Sequence, residues 1–231
     1  MLIALDGLLL DLDDTLFDHR SAANLAAAQF ARTIPGWHGT DREAADRWLQ
    51  LENEHFPKYA RGECSLREQH RLRVRDFHRS LAEISDAAAD AIFRSYLTFY
   101  ETHWRPLPGS ASLIARALAA GLKVGVLTNG DEHQQRLKLE RIGLLHRQLL
   151  VFTSAELGVA KPSARAYELA CAGLHTAPER TLMVGDNHEN DVAAARAAGL
   201  QAIHFDRAGA GLDPLAHATL AEIEFRIFGG A

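Results

Sequence analysis

Five short apolar runs, each leading into polar side chains, constrain this chain more than any other feature. Leu8–Leu10 lead into Asp11, Val124–Leu127 into Thr128 and Asn129, and Leu149–Phe152 into Thr153 and Ser154. Leu182–Val184 lead into Gly185 and Asp186, and Ala202–Phe205 into Asp206. Each run has the length and the consecutive bulky side chains of a strand covered on both faces. Helical patterns fill the intervals: Ser110–Ala120 before Gly121, Asp131–Ile142 before Gly143, Ser163–Ala172 before Gly173, and Glu189–Ala198 before Gly199. Glycine after each pattern suits the left-handed residue that closes a helix.

Strand and helix in alternation predict an α/β fold, a Rossmann-like parallel sheet with helices on both faces. Residues 20–104 break that rhythm and show no convincing strand. Asp86 can cap a helix carrying Ile92, Tyr96, Phe99 and His103 on one face, and Val74, Phe77, Leu81 and Ile84 also follow helical spacing. The expected organisation is an α/β core of residues 1–18 and 105–231, with an inserted all-helical domain of residues 19–104 between the first strand and the rest of the sheet.

Composition narrows the class. In 231 residues, 47% are apolar and 24% charged, which is ordinary globular usage. The formal charge of −5 argues against binding to nucleic-acid polymers, which calls for a basic footprint. The only cysteines, Cys64 and Cys171, fit neither a disulfide framework nor zinc-ligand spacing. The N-terminal stretch has no basic n-region of a signal peptide, and no apolar run approaches the ~20 residues of a membrane span. The expectation is a cytoplasmic protein without a membrane partner, monomeric or homodimeric.

Four motifs follow strand ends, where open α/β sheets place their sites. Asp11-Leu12-Asp13-Asp14-Thr15 sets two carboxylates two residues apart, able to attract a divalent cation or to divide nucleophilic and proton-transfer roles. Thr128-Asn129-Gly130 offers a hydroxyl and backbone amides to phosphate oxygens. In Lys161-Pro162, a proline at the first helical position would leave a lysine at a helix mouth that is already positive, an odd choice unless an anion binds there. In Gly185-Asp186-Asn187-His188-Glu189-Asn190-Asp191, Asp186 and Asp191 supply the hard oxygens of a magnesium site. Taken singly these are a turn, a helix cap, an exposed lysine and an acidic helix start. Their succession at four strand ends requires all four plain readings to hold together.

The set Asp11/Asp13/Thr15, Thr128, Lys161 and Asp186/Asp191 resembles the haloacid dehalogenase-like hydrolase superfamily, with all four motifs in order over the whole core. The helical insertion looks like that superfamily's cap. Leu107-Pro108-Gly109, Val126–Gly130, Leu139–Leu144 and Gly158–Pro162 look like its small-molecule phosphatases, pyrimidine nucleotide 5'-phosphatases first and phosphoglycolate phosphatases further off. The resemblance implies Mg2+ held by Asp11, the Asp13 backbone carbonyl and Asp186, with Thr15 and Asp191 in support. It implies Asp11 as nucleophile, Asp13 as acid and then base, and Thr128, Asn129 and Lys161 as phosphate ligands, Lys161 also counting as catalytic. The implied partner is a small phosphorylated substrate: a nucleotide monophosphate, a sugar phosphate or phosphoglycolate. Members that cleave carbon–halogen bonds usually lack the second aspartate, so Asp13 argues against 2-haloacid dehalogenation. A phosphomutase shares every core motif, and a non-catalytic binding protein would have no use for both Asp11 and Asp13.

Specificity is expected from the helical insertion. His19 lies where the chain enters it, beside Phe17, Asp18 and Arg20. Tyr59 and Arg61 flank a glycine turn and are candidates for contact with the leaving group. Arg67, Arg71, Arg73, Arg75 and Arg79 read as a solvated helix face or as a steering patch for anions. His133 and His188 lie near the motif loops and are candidates to line the site.

Overall fold

The computed structural model describes residues 4–229 and contains five strands in one sheet, all parallel, in the order β3-β2-β1-β4-β5. These are β1 (Gly7–Leu10), β2 (Lys123–Thr128), β3 (Leu149–Thr153), β4 (Thr181–Gly185) and β5 (Gln201–His204). The helices are α1 (His19–Ala31), α2 (Asp41–Ala60), α3 (Leu66–Phe77), α4 (Asp86–Thr102), α5 (Ser110–Ala119), α6 (Glu132–Arg141), α7 (Ser154–Leu157), α8 (Ala164–Leu174), α9 (Ala194–Ala197) and α10 (Leu220–Phe228). The chain forms two compact units: one holds the sheet and comprises the chain up to Asp18 and from Arg105 onward, and the other is His19–Trp104. No helix among the described residues is long and apolar enough to cross a membrane.

In the sheet unit the apolar runs become strands for the expected reason. Leu8, Leu9, Leu10, Val126, Leu182, Met183 and Val184 are fully buried, and Leu9, Leu127 and Met183 pack with Tyr167, Ala170 and Leu174 of α8. Leu10 sits opposite both Val126 and Val184 at the centre of the sheet, and β2 and β4 run two residues and one residue further. The edge strand β3 departs from burial on both faces, since Leu150 is 43% exposed.

One helix end differs from the glycine rule. Helix α8 runs through Gly173 to Leu174, because Leu174 is buried in the core and the left-handed residue is His175, at φ 57°. Gly173 serves close approach instead, since a Cβ there would lie 2.5 Å from the Phe152 ring. The fourth pattern opens as a π-helical segment, His188–Ala193, before α9. Pro162 precedes the α8 N-cap Ser163, so it does not occupy the first helical position.

The second unit is helical throughout. Helix α1 packs on α2 and α4, and α3 packs on both of those. Trp48 and Tyr96 centre its aromatic core at 4.2 Å between centroids, with Phe30, Phe77 and Phe93 around them. Helix α2 opens with a Thr40/Glu43 capping box. Ser85, not Asp86, caps α4, and the buried face is Ala89, Phe93, Tyr96 and Tyr100. Ile92 and Phe99 flank that face, and Tyr96 belongs to both spacings, which is why the sequence pattern chose the neighbouring stripe. Helix α3 ends at Phe77, so of the expected series only Val74 and Phe77 lie in it.

The arginine series is a solvated face only in part: Arg67 and Arg79 are exposed, Arg71 and Arg75 are half-buried, and Arg73 is buried. Arg67 and Arg71 both donate to Asp90, and Arg71 and Arg75 both reach Asp86. The Arg71 and Arg67 guanidinium groups hold the Asp90 carboxyl far below the usual carboxylate range. Arg73 is buried, lies 4.5 Å above the Trp48 ring and pairs with Glu52 at 3.0 Å.

Candidate active site

The motif loops converge at the carboxyl edge of β1, β2 and β4. Asp11 follows Leu10 directly, is 7% exposed, and donates its backbone N–H to Val184 O at 2.9 Å. The chain then turns tightly: Thr15, Leu16 and Phe17 N–H groups all point to Leu12 O, and Asp14 takes φ 59°. This turn buries Thr15, whose Oγ1 accepts from Asp186 N at 3.0 Å and ties the first loop to the fourth.

Lys161 occupies the centre. Its Nζ donates to Asp11 Oδ1 at 2.7 Å and to Asp191 Oδ1 at 2.6 Å, with the side chain 3% exposed. Asn129 places it: Nδ2 donates to Lys161 O at 2.8 Å and Lys161 N donates to Oδ1 at 2.9 Å. The Asn129 side chain is therefore a strut between the second and third loops, and its backbone N–H is the group it can offer to a phosphate.

The fourth loop depends on Gly185. A Cβ there would stand 2.2 Å from Asp191 Oδ2, so the glycine is what lets the Asp191 carboxylate lie over the strand end. Asp191 Oδ2 also accepts from Asn187 N at 3.1 Å, so both of its oxygens already have donors. That suits the supporting role expected for it.

Asp11, Asp186 and Asp191 each present a carboxylate oxygen within 4.8 Å of the others. Burial above all, then the Asp191 and Asp13 charges, push the Asp11 carboxyl up to about 7 against the pull of Lys161. Burial, followed by Asp11 and Asp191, pushes Asp186 up to about 8. Burial disfavours the Lys161 ammonium, but the two carboxylates beside it outweigh burial and hold it above its usual range. Three carboxylates around one ammonium leave two negative charges in a desolvated pocket. An all-oxygen, doubly negative set fits a hard divalent cation.

Asp13 stands apart from this cluster. Lys138 Nζ donates to its Oδ1 at 2.6 Å, and Gln135 Nε2 donates to Oδ2 at 2.9 Å and to Thr128 Oγ1 at 2.7 Å. Sequence reading missed both partners, because on α6 they look like any polar residues. Nothing in the sequence marks them: their burial, three residues apart on the helix after a motif loop, is set by the fold.

The structure thus brings together Asp11, Asp13, Thr15, Thr128, Asn129, Lys161, Asp186 and Asp191. Of the other candidates, His19, Tyr59 and Arg61 belong to the helical unit, and His133 and His188 to the sheet unit. His19 Nδ1 lies 2.6 Å from Tyr100 OH and its Nε2 lies 3.3 Å from Glu52, Tyr59 meets Phe56 edge-on, and Arg61 pairs with Glu63 at 2.5 Å. His188 lies edge-on to His204, whose Nε2 donates to Asp186 O, and His133 is exposed on α6.

The haloacid dehalogenase-like hydrolase profile matches residues 5–199, which include every residue of this cluster. The chain belongs to that family. It is 38% identical to the phosphoserine phosphatase of Thermus thermophilus over 64% of this chain, a match that takes in only 60% of that protein. It is 30% identical to the pyrimidine 5'-nucleotidase YjjG of Escherichia coli, over 84% of this chain and 83% of that one. Among solved structures, the magnesium-bound HAD-hydrolase YfnB of Bacillus subtilis superposes with TM-score 0.79 at 22% identity, covering 98% of this chain and 100% of that one. The L-2-haloacid dehalogenase of Xanthobacter autotrophicus superposes with TM-score 0.74 at 19% identity, covering 98% and 100%. These two likenesses show the shared fold.

Proposed function

We propose that this HAD-like hydrolase is a Mg2+-dependent phosphatase that cleaves a small phosphomonoester through an aspartyl-phosphate on Asp11. The observation that carries the reading is Asp13, two residues beyond Asp11 and held by Gln135 and Lys138. An alkoxide leaving group needs a proton, and the attacking water must lose one. A halide leaves as a stable anion, so dehalogenation gives a leaving-group acid no task.

In the first step an Asp11 carboxylate oxygen bonds to phosphorus, the bond from phosphorus to the ester oxygen breaks, and Asp13 gives its proton to that oxygen. In the second, Asp13 takes a proton from water, water oxygen bonds to phosphorus, and the Asp11–phosphorus bond breaks. Thr128 Oγ1, the Asn129 N–H and the Lys161 ammonium bind the transferring phosphoryl oxygens. Asp11, the Asp13 carbonyl and Asp186 would hold Mg2+, which would supply the charge neutralisation that lets a carboxylate approach a phosphate. Asp191 and Thr15 keep Lys161 and the Asp186 backbone in place. The phosphoserine phosphatase and the nucleotidase among the relatives support phosphomonoesters as the substrate class, with the helical unit selecting among them.

The test is phosphate release from p-nitrophenyl phosphate, phosphoserine, uridine 5'-monophosphate and ribose 5-phosphate, with Mg2+, with EDTA, and with Asp11→Asn. The expected result is hydrolysis of at least one ester that requires both metal and Asp11. Activity that survives EDTA and Asp11→Asn refutes the assignment.

A further inference from the structure

We propose that Gln135 and Lys138, less than one turn apart on α6, form a bracket that fixes the Asp13 carboxylate for its proton transfers, both acting as positioning residues. The inference rests on the hydrolase reading above and extends it to a helix outside the four motif loops.

Each Asp13 oxygen has its own donor from α6: Lys138 Nζ on Oδ1 at 2.6 Å and Gln135 Nε2 on Oδ2 at 2.9 Å. Rotation of the carboxylate breaks both bonds at once, so the pair fixes orientation where a single bond would leave a swivel. The Asp13 side chain nonetheless remains 30% exposed, whereas that of Lys138 is 5% exposed. The bracket holds both oxygens while leaving the carboxylate partly exposed, as exchange with a leaving oxygen or a water requires.

Gln135 also sets Thr128. Its Nε2 has two hydrogens, one for Asp13 and one for Thr128 Oγ1 at 2.7 Å. A hydroxyl that accepts from an amide keeps its own proton to donate, which is the role a phosphoryl oxygen asks of Thr128. The reverse amide orientation would set Oε1 against a carboxylate, acceptor on acceptor. Oε1 itself is buried with no partner among the described residues. A bare buried acceptor costs stability, and so does a lysine buried in α6. Two unfavourable placements three residues apart, both aimed at Asp13, point to function over packing. Room for the bracket comes from Gly130, where a Cβ would lie 3.3 Å from Gln135 Cδ and Nε2.

The test compares Lys138→Met and Lys138→Arg with the unaltered chain in Mg2+, using p-nitrophenyl phosphate and an alkyl phosphate that the chain turns over. p-Nitrophenolate leaves without a proton, so formation of the aspartyl-phosphate does not need Asp13, while its hydrolysis does. For p-nitrophenyl phosphate, Lys138→Met is expected to lower kcat about 100-fold and KM with it, leaving kcat/KM within about threefold. A burst of one p-nitrophenolate per chain accompanies that loss. For the alkyl ester kcat/KM falls too, and Lys138→Arg restores part of the loss.

Unchanged kcat overturns the proposal. So does a rise in KM at constant kcat, the mark of a substrate ligand, or an equal fall of kcat/KM for both esters, the mark of a merely structural role. Gln135→Leu carries the same expectations and decides the matter if Lys138→Met does not fold. An unaltered chain inert toward every phosphomonoester overturns the hydrolase reading itself; normal turnover that Lys138→Met leaves untouched overturns the bracket alone.

Discussion

Replacing a metal-site carboxylate should make the metal-free protein more stable at alkaline pH while destroying its activity. Asp186→Asn is the cleanest case. Burial, then Asp11 and Asp191, raise the Asp186 carboxyl to about 8, against about 4 in an unfolded chain. The folded chain therefore holds the proton more tightly, so stability is fullest below about pH 4 and falls as pH rises toward about 8. Each pH step between the two values is worth about 1.4 kcal/mol, which sets a ceiling of about 5 kcal/mol. Asp11, raised to about 7, feels the same neighbours and shares the penalty. Half the ceiling, about 2–3 kcal/mol, is the expected gain from a neutral amide of the same shape, or about 5–10 °C in Tm for a chain of this size. Thermal unfolding in EDTA at pH 5 and pH 8 measures it. At pH 5, only one unit above the unfolded value, about a quarter of the penalty is present, so the variant should exceed the parent only slightly. At pH 8 the variant should melt higher, and adding Mg2+ should reverse the order. A variant no more stable at pH 8, or equally stabilised at pH 5, refutes the electrostatic argument.

Three further outcomes follow from single contacts. Gly185→Ala drives a methyl to within 2.2–2.5 Å of the Asp191 carboxylate, so activity should fall at least tenfold, with about 1–3 kcal/mol lost in urea unfolding. Arg73→Met removes the buried partner of Glu52 and the cation over Trp48. With Glu52 partly solvated, a loss of about 2 kcal/mol should appear in the urea midpoint. Burial, with the nearby Arg73 charge, lowers His70 to about 3. Its folded value lies below the unfolded one, so stability is complete above about pH 6.5 and drains as pH falls toward 3. His70→Phe keeps the stack on Phe93 and should flatten the urea midpoint between pH 7 and pH 4.

The sheet was legible because its signal is local. Leu8–Leu10 and Leu182–Val184 are apolar on consecutive positions, and each became a strand lengthened by a residue at one or both ends. The loop residues were legible because a carboxylate or amide directly after a strand has one edge of the sheet to occupy. What escaped reading depends on the partner. Arg73 reads as solvated until Glu52 and Trp48 meet it across the helical unit. Gly173 reads as a helix stop until the Phe152 ring claims the space of its missing side chain. Asn129 reads as a phosphate ligand until its amide is seen paired with the Lys161 backbone. Lys138 and Gln135 carry no pattern at all, because their task is set by a residue more than 120 positions earlier in the chain.

That separation explains how one loop can offer two aspartates for two tasks. Residues of one type two positions apart begin with the same chemistry, and only surroundings can divide them. Here the division is made by two lysines. Lys161 serves Asp11 and Asp191 and makes no bond to Asp13, deep in a pocket where the Asp11 side chain is 10% exposed. Lys138 serves Asp13, whose side chain is 30% exposed. Asp11 is thereby held rigid among charges that a divalent cation would balance, as its proposed role of nucleophile requires. Asp13 is held from α6 and is partly exposed to the solvent from which the proposed proton acceptor would draw its water. Exchanging the lysines' partners would require moving α6 relative to β1. The proposed role of each aspartate therefore depends on the packing of the core as much as on the motif.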